Sequence, residues 1–267
     1  MHAWVYERVG DFGLSAGERA RRIPREPSIA TAALRSVAQM LMRASLRIGN
    51  GFDVLGREHL PADGSFIMVS NHSSHLDAVC LLAALPLRRV HSAFPVAAAD
   101  YFFATPLRSV LSVVAVNALP LERDHRGSDG IEACRTLLST PNNILIMFPE
   151  GTRSCSGQLG RFRSGVVRLV AGTRTPVVPC YISGAFEAWP KGRAVPRPLR
   201  VRLQIGRPRL FEHVAPDQRE ALAAASAQLR DDVAALRPTP PHPWAGAATQ
   251  ATGRRSRLPN IPSALRR

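Results

Sequence analysis

The residues best placed for chemistry lie between an apolar run and a helical stretch. Phe66–Ser70 is apolar and is typical of a buried strand, and Asp77–Ala84 has the pattern of a helix. Residues 71–76 between them contain one Asn, two His and two Ser. Because polar groups are costly in a core, this cluster predicts a site at the carboxyl end of a sheet.

His72 and Asp77 form the sharpest pair in this cluster. They would not share a face of one continuous helix. With His72 on the turn and Asp77 in the first helical turn, the carboxylate reaches the imidazole, holds its tautomer and stabilises the imidazolium. The other ring nitrogen then takes a proton from a substrate hydroxyl. A polar helix cap with surface histidines has the same local pattern, and the cluster alone does not exclude it.

A second polar cluster follows the apolar run Asn143–Phe148. Gly151 lets backbone approach a ligand closely. Arg153 offers a planar fork to phosphate oxygens. Glu150 is expected to accept hydrogen bonds from a polyol or to orient Arg153, with Thr152 between them. An ordinary turn with a surface ion pair is the alternative.

Two further segments have the same setting at the end of an apolar run. Arg123 follows the predicted strand Ser112–Val116 and is expected to face the same cleft. The apolar strand Val177–Ile182 is interrupted by Pro179, which predicts an edge strand or a bulge.

Apolar runs alternate with helical stretches through the centre of the chain. This alternation predicts the α/β class: a single domain with a largely parallel sheet flanked by helices. The remaining predicted elements are the helices Gly130–Leu138, Gly165–Gly172 and Asp217–Arg237 (capped by Pro216 and Asp217) and the half-exposed strand Leu199–Ile205.

The N-terminal amphipathic helix is predicted within residues 27–51. Its apolar residues recur at spacings of three and four: Ala30, Leu34, Val37, Leu41, Ala44 and Ile48. Such a stripe packs on a core or, flanked by Arg35, Arg43 and Arg47, lies on an anionic membrane. Residues 1–26 are predicted to be loosely ordered, 52–237 to form the main domain, and 238–267 to be a disordered basic tail.

The composition limits the kinds of partner that the protein is expected to bind. The 267 residues carry a formal net charge of +15, with one Lys among 35 basic residues. Such a charge predicts an anionic partner, although an Arg-rich composition also reflects a GC-rich genome. No nucleic-acid motif is present and only 6% of residues are aromatic, so nucleic acid is the remote alternative. The four cysteines and the histidines lack metal spacing, so no metal is expected.

The localisation prediction follows from the same survey. No run of 18 apolar residues occurs, and the N-terminus lacks the pattern of a signal peptide. The scattered cysteines fit a reducing compartment. The expectation is a cytoplasmic protein, peripheral on the inner face of an anionic membrane.

The motifs in their order resemble the lysophospholipid acyltransferase family, whose best-known members are the 1-acylglycerol-3-phosphate acyltransferases. The resemblance covers residues 52–210. It rests on Asn-His-x4-Asp at residues 71–77, Phe-Pro-Glu-Gly-Thr-Arg at 148–153 and Val-Pro-x-Tyr-Ile at 178–182. The stretches Val54–Pro61 and Arg161–Gly165 also look like family segments.

The resemblance implies direct acyl transfer, without an acyl-enzyme, from acyl-CoA or acyl carrier protein to a lysophospholipid hydroxyl. The expected acceptor is 1-acylglycerol-3-phosphate, giving phosphatidic acid, and no cofactor is implied. His72 matches the family's catalytic base and Asp77 its charge partner. The positions matching those that bind the acceptor's phosphate and polar head are Arg123, Glu150, Gly151, Thr152 and Arg153. No G-x-S-x-G elbow is present, so Ser73 and Ser74 are not expected to act as nucleophiles.

One position departs from the family pattern. Asn117 stands where the family usually has Gly, and Asn tolerates a positive φ better than most residues. The turn is therefore expected to survive. The departure leaves open an acceptor other than 1-acylglycerol-3-phosphate, either another lipid or a polyol.

Overall fold

The computed structural model describes residues 29–98, 117, 119–121 and 128–238. The strands of this part are β1 (Asp53–Leu55), β2 (Phe66–Ser70), β3 (Ala93–Ala98), β4 (Leu119–Leu121), β5 (Ile144–Met147), β6 (Val177–Ser183) and β7 (Arg202–Ile205). They form one seven-stranded sheet in the order β1-β7-β6-β2-β5-β3-β4. The predicted strand Ser112–Val116 lies outside the described residues.

Helices follow most strands. They are α1 (Ile29–Asn50), α2 (Asp77–Ala84), α3 (Leu87–Val90), α4 (Ser128–Ser139), α5 (Gly165–Val170), α6 (Ala185–Ala188) and α7 (Arg219–Ala235), with a 3-10 turn at Arg57–His59. The chain divides into two units between Arg237 and Pro238, and all of these elements lie in the first. The predictions for residues 1–26 and for the tail fall outside the described part, apart from Pro238.

The predicted fold class is confirmed. All recorded strand pairs are parallel except β6 with β7, which is antiparallel. At the centre of the sheet, Met68 of β2 is in register with Ile146 of β5 and Val178 of β6. Every residue of β2 is buried, as expected of a parallel strand covered on both faces.

Alternation along β2 divides the core into two layers. Met68 packs in one cluster with Leu81 and Leu82 of α2. Ile67 points to the other side and packs in a cluster with Val167 of α5 and Leu229 of α7. Successive side chains of a strand face opposite sides, so one central strand supports both helix layers. This packing fixes the carboxyl end of β2, where the polar cluster begins.

Three details differ from the sequence predictions. The last strand begins at Arg202, and the last helix is capped by Gln218. Pro179 is not at an edge, because β6 lies between β7 and β2. The neighbouring donor on that side of the strand, Val177 N, bonds to Arg209 O, and Gly206 N bonds to Pro179 O. The nitrogen of Pro179, which carries no hydrogen, therefore faces the chain just beyond the end of β7. The strand ladder needs no donor at that point.

The predicted apolar stripe of α1 faces solvent instead of the core. Leu34, Leu41 and Ile48 are 56%, 66% and 87% exposed. The buried face of the helix contains Gln39 and Leu46, at 0% and 2% exposure. The prediction that this stripe packs on the core is therefore wrong. Of the helices in the described part of the chain, none is long and apolar enough to cross a membrane.

Polar contacts tie α1 to the domain through its other face. Arg43 Nη2 donates to the carbonyl oxygens of Leu82 (3.1 Å) and Leu85 (2.7 Å) at the end of α2. Asn50 Nδ2 donates to the carbonyl oxygens of Arg197 and Leu199, both at 2.9 Å. Orphan carbonyls at a helix end need such donors, which accounts for an arginine on the inner face.

Candidate active site

The two polar clusters meet because β2 and β5 are neighbouring parallel strands. Phe66–Val69 pairs in register with Ile144–Met147, so both strands deliver their following loops to one edge of the sheet. The contact is direct: Ser154 N donates to His72 O at 2.7 Å. The parallel sheet therefore assembles one site from segments about eighty residues apart.

His72 and Asp77 are in contact. His72 Nδ1 lies 2.8 Å from Asp77 Oδ2. The His72 side chain is 19% exposed and that of Asp77 is 0% exposed. The carboxylate can hold the Nδ1–H tautomer, which leaves Nε2 as the acceptor for a substrate proton. Nε2 makes no hydrogen bond to any described residue, and the imidazole is partly exposed.

Asp77 is held by backbone as well as by the imidazole. Its Oδ2 also accepts hydrogen bonds from Ser73 N (2.7 Å) and Ser74 N (2.8 Å). Its Oδ1 is buried and has no hydrogen-bond partner among the described residues. All three donors to this side chain therefore meet the same oxygen, Oδ2. The buried carboxylate thus contacts His72 through a single, fixed oxygen.

Asn71 fixes the start of the catalytic loop to the sheet. Asn71 Nδ2 donates to Ile182 O at 2.9 Å, and Ile182 N donates to Asn71 Oδ1 at 2.8 Å. This pair continues the β2–β6 ladder one step beyond Ser70, through a side chain in place of backbone. Asn71 therefore positions His72, and both polar atoms of its side chain already have partners in the sheet.

Glu150 joins the two clusters through its carboxylate. Oε1 accepts from His72 N at 2.8 Å, and Oε2 accepts from Gly160 N at 2.9 Å. Burial raises the pKa of the Glu150 carboxyl, while the hydrogen bonds from the His72 and Gly160 amides lower it. Each oxygen thus already has a backbone donor, so the geometry gives Glu150 a part in holding His72.

Two glycines allow this close packing. Gly151 adopts a φ of +76°, and a Cβ there would lie 2.8 Å from Arg163 Nε. A Cβ on Gly160 would lie 2.8 Å from Glu150 Oε2. At Gly151 the positive φ disfavours any side chain, and at Gly160 a Cβ would displace the Glu150 carboxylate that holds His72.

Aromatic rings and a second histidine border the pair. The ring of His72 stacks on Phe148 with centroids 4.0 Å apart. Arg153 Nη1 lies 2.8 Å from His75 Nδ1, and His75 tilts against Trp189 at 5.1 Å. Burial and the charge of Arg153 lower the pKa of His75 to about 4, against the opposing effect of Asp77. At neutral pH His75 is therefore uncharged and can accept a hydrogen bond from Arg153.

Asn117 adopts the expected conformation. Its φ is 55°, and its buried side chain donates to the carbonyl oxygens of His91 and Ala93, each at 3.2 Å. Asn thus supplies the left-handed turn and also satisfies carbonyls at the start of β3, which Gly could not do.

The structure brings most of the predicted residues together. Glu150, Gly151, Thr152 and Arg153 follow β5 at the edge that holds His72, and Thr152 is exposed. Arg123 lies outside the described residues. Asn71, Phe148 and Gly160 were not predicted as site residues. Asn71 and Phe148 are the first residues of the motifs at 71–77 and 148–153, and this position is the signal that could have identified them.

The chain is similar in sequence to known acyltransferases. The model of the acyltransferase family matches residues 51–183. The mouse 1-acyl-sn-glycerol-3-phosphate acyltransferase alpha is 29% identical over 189 residues, which are 69% of this chain and 64% of that protein. The Limnanthes alba 1-acyl-sn-glycerol-3-phosphate acyltransferase is 31% identical over 159 residues, 57% of this chain and 52% of its own. The chain thus spans less than two thirds of the length of these relatives.

A solved structure has the same fold. The 1-acyl-sn-glycerophosphate (LPA) acyltransferase PlsC from Thermotoga maritima superposes with a TM-score of 0.62 at 22% identity. The match covers 85% of this chain and 89% of that one. The family match over the motif-bearing strands and the two sequence relatives show that the chain belongs to the acyltransferase family, with 1-acyl-sn-glycerol-3-phosphate acyltransferases among its relatives.

Proposed function

We propose that this protein is a glycerolipid O-acyltransferase. It moves a fatty acyl group from the thioester of acyl-CoA or acyl carrier protein to the hydroxyl of 1-acylglycerol-3-phosphate, and phosphatidic acid is the product. The observation that carries the proposal is the contact between His72 Nδ1 and the buried Asp77 carboxylate, with Nε2 unengaged by the described residues. The names of the relatives support the choice of acceptor.

The reaction needs one general base and no covalent enzyme intermediate. His72 Nε2 takes the proton of the acceptor hydroxyl as its oxygen attacks the thioester carbonyl carbon. Asp77 stabilises the imidazolium that forms. When the tetrahedral intermediate collapses, the C–S bond breaks, and the imidazolium returns the proton to the departing thiolate. The products are an ester and a free thiol, and His72 is again neutral.

The acceptor's phosphate is assigned to the arginines of the site. Arg153 lies beside the catalytic loop through its contact with His75, and its fork matches two phosphate oxygens. Arg123 is the second proposed phosphate ligand. Gly151 and Thr152 are exposed next to Arg153 and complete the acceptor site with Glu150, whose carboxylate also holds the loop in shape.

A peripheral position on the inner face of an anionic membrane is part of the proposal. Lysolipids and diacyl products reside in a bilayer, so the enzyme has to meet its surface. The exposed stripe of α1 supports this contact. Burying one leucine-sized side chain contributes about 1.5–3 kcal/mol at most. Of the flanking arginines, Arg47 is exposed and adds about 1 kcal/mol on an anionic surface. Arg35 is buried, and Arg43 is held by the carbonyls at the end of α2. These terms suffice for reversible binding.

The deciding experiment is an acyl-transfer assay with a panel of acceptors. Wild type and His72→Ala are incubated with labelled acyl-CoA or acyl carrier protein and with 1-acylglycerol-3-phosphate, other lysophospholipids or glycerol-3-phosphate. We expect phosphatidic acid to form with wild type alone. Transfer to a different acceptor would correct the substrate. A folded wild type that transfers to none of them, or a His72→Ala variant of near-normal kcat, would overturn the proposal.

A further inference from the structure

A basic cavity lies at the end of the sheet opposite the catalytic cluster. Its volume is about 290 Å³, and its lining includes four arginines with apolar walls: Arg43, Arg57, Arg88, Arg89, Leu60 and Phe66. Phe66 opens β2, whereas His72 follows the end of that strand. The five residues of β2 separate the two places by about 17 Å, at roughly 3.3 Å per residue. The cavity shares no lining residue with the catalytic cluster.

Backbone carbonyls hold two of the arginines in place. Arg89 donates to the carbonyl oxygens of Ala62 (2.6 Å) and Gly64 (2.7 Å), and its guanidinium lies 5.5 Å above the ring centre of Phe66. Arg43 donates to the end of α2 through Nη2. The charges of Arg43 and Arg89 are therefore held beside the cavity before any ligand arrives, which lowers the cost of binding.

The buried arginines do not offer every donor to the cavity. The Nε atoms of Arg43 and Arg89 are buried and have no hydrogen-bond partner among the described residues, so a ligand in the cavity does not reach them. Arg89 as a whole is only 8% exposed. An anion in the cavity therefore meets mainly the exposed side chains of Arg57 and Arg88.

The charges of the cavity are not balanced by the described acids. None of the four arginines forms an ion pair within the described ranges. Burial lowers the pKa of Arg43, and the charge of Arg57 lowers it further. Burial also lowers the pKa of Arg89, Asp63 opposes this, and Arg88 adds to it. The positive charges of the arginines thus repel one another, and the carboxylate of Asp63 offsets only part of this repulsion.

We propose that this cavity binds a phosphate group. Arginine forks match phosphate oxygens, and ligand pockets of about 300–1,000 Å³ hold whole small molecules, so this volume suits a phosphate and its immediate substituent. Arg57 and Arg88 are exposed and admit the ligand from solvent. The phosphate belongs to an anionic lipid headgroup or to a soluble phosphate. This phosphate site does not depend on the reaction proposed for His72.

A paired double variant tests the site without disturbing the fold. Arg57→Gln with Arg88→Gln removes the two exposed charges and leaves Arg43 and Arg89 on their carbonyls. Arg168→Gln with Arg207→Gln removes two exposed arginines elsewhere and serves as the charge-matched control. Inorganic phosphate binding is measured by calorimetry on the full chain at constant ionic strength. We expect a loss of affinity of tenfold or more in the cavity variant and little change in the control.

Vesicle flotation distinguishes the two phosphate sources. Each variant is mixed with phosphatidylcholine vesicles with or without phosphatidic acid. Lower retention of the cavity variant than of the control on phosphatidic acid vesicles identifies a lipid headgroup as the ligand. Equal retention together with weakened inorganic phosphate binding identifies a soluble phosphate. The proposal is overturned if the cavity variant and the control match in both measurements. The acceptor assay with His72→Ala is independent of this result.

Discussion

Replacing Asp77 by asparagine tests how the buried carboxylate acts on His72. Oδ2 of Asp77 accepts from Ser73 N, Ser74 N and His72 Nδ1. Because the two amides are donors only, the carboxamide oxygen of the variant should take the place of Oδ2. His72 then keeps its orientation and its tautomer, and the substitution removes mainly the negative charge. The sequence analysis gave the carboxylate two effects, holding the tautomer and stabilising the imidazolium, and in this variant the structure leaves mainly the second to be lost.

The fall in kcat expected for Asp77→Asn can be estimated between two limits. Hydrogen bonds to charged groups contribute about 1.5–3 kcal/mol against about 0.5–1.5 for neutral ones, so the loss is at least about 1 kcal/mol. Two unit charges about 4 Å apart attract by about 4 kcal/mol at an effective dielectric of about 20. At about 1.4 kcal/mol per factor of ten, kcat of Asp77→Asn should fall by about 5-fold to about 10³-fold.

The assay compares initial rates of acyl transfer for three variants, each with a melting curve. Asp77→Asn should lie between wild type and His72→Ala. Its amide nitrogen occupies the unpartnered Oδ1 position, so the variant should lose about 1–3 kcal/mol of stability. Asp53→Asn removes an exposed carboxylate paired with Arg202 and is the control. A folded Asp77→Asn variant as inactive as His72→Ala, or as active as wild type, would refute the reasoning.

Three further predictions concern the phosphate, the membrane and pH. Arg153→Lys should lower kcat/KM more for a phosphorylated acceptor than for an uncharged one, since a point charge cannot replace the fork; equal losses would assign Arg153 to the donor or to the fold. Leu41→Glu should abolish sedimentation with anionic vesicles at an unchanged Tm, whereas Leu46→Glu, on the buried face of the same helix, should lower Tm; retained vesicle binding by the first variant would exclude this stripe as the contact. The pKa of His75 is lowered from 6.5 to about 4, so the folded state binds this proton less tightly than the unfolded chain. The neutral His75 therefore contributes to the free energy of unfolding above pH 6.5, and this contribution is lost as the pH falls toward 4. His75→Gln should flatten the fall of Tm over this window, and His213→Gln, at an exposed site, should not; parallel curves for His75→Gln and wild type would contradict the assignment.

Local sequence determined the elements that carry the chemistry. The strand Phe66–Ser70 and the helix Asp77–Ala84 have the predicted bounds. The contact between His72 and Asp77 follows from this strand–turn–helix arrangement, because both residues lie within six consecutive positions. Asn117 likewise has the left-handed backbone that its residue type tolerates. Interactions within a few residues depend on propensity and spacing, which a sequence displays directly.

Tertiary structure decided which partners these elements meet. The periodicity of α1 located an apolar stripe, yet the face with Gln39 and Leu46 is buried, because Arg43 on that side satisfies carbonyls at the end of α2. The sequence predicted Glu150 as a substrate ligand, and only the structure showed that its carboxylate also bridges two backbone amides. Both outcomes depend on buried donors and acceptors that belong to segments distant in the chain. Periodicity shows where a side chain can point, whereas the polar groups left unpaired by neighbouring elements decide what it contacts.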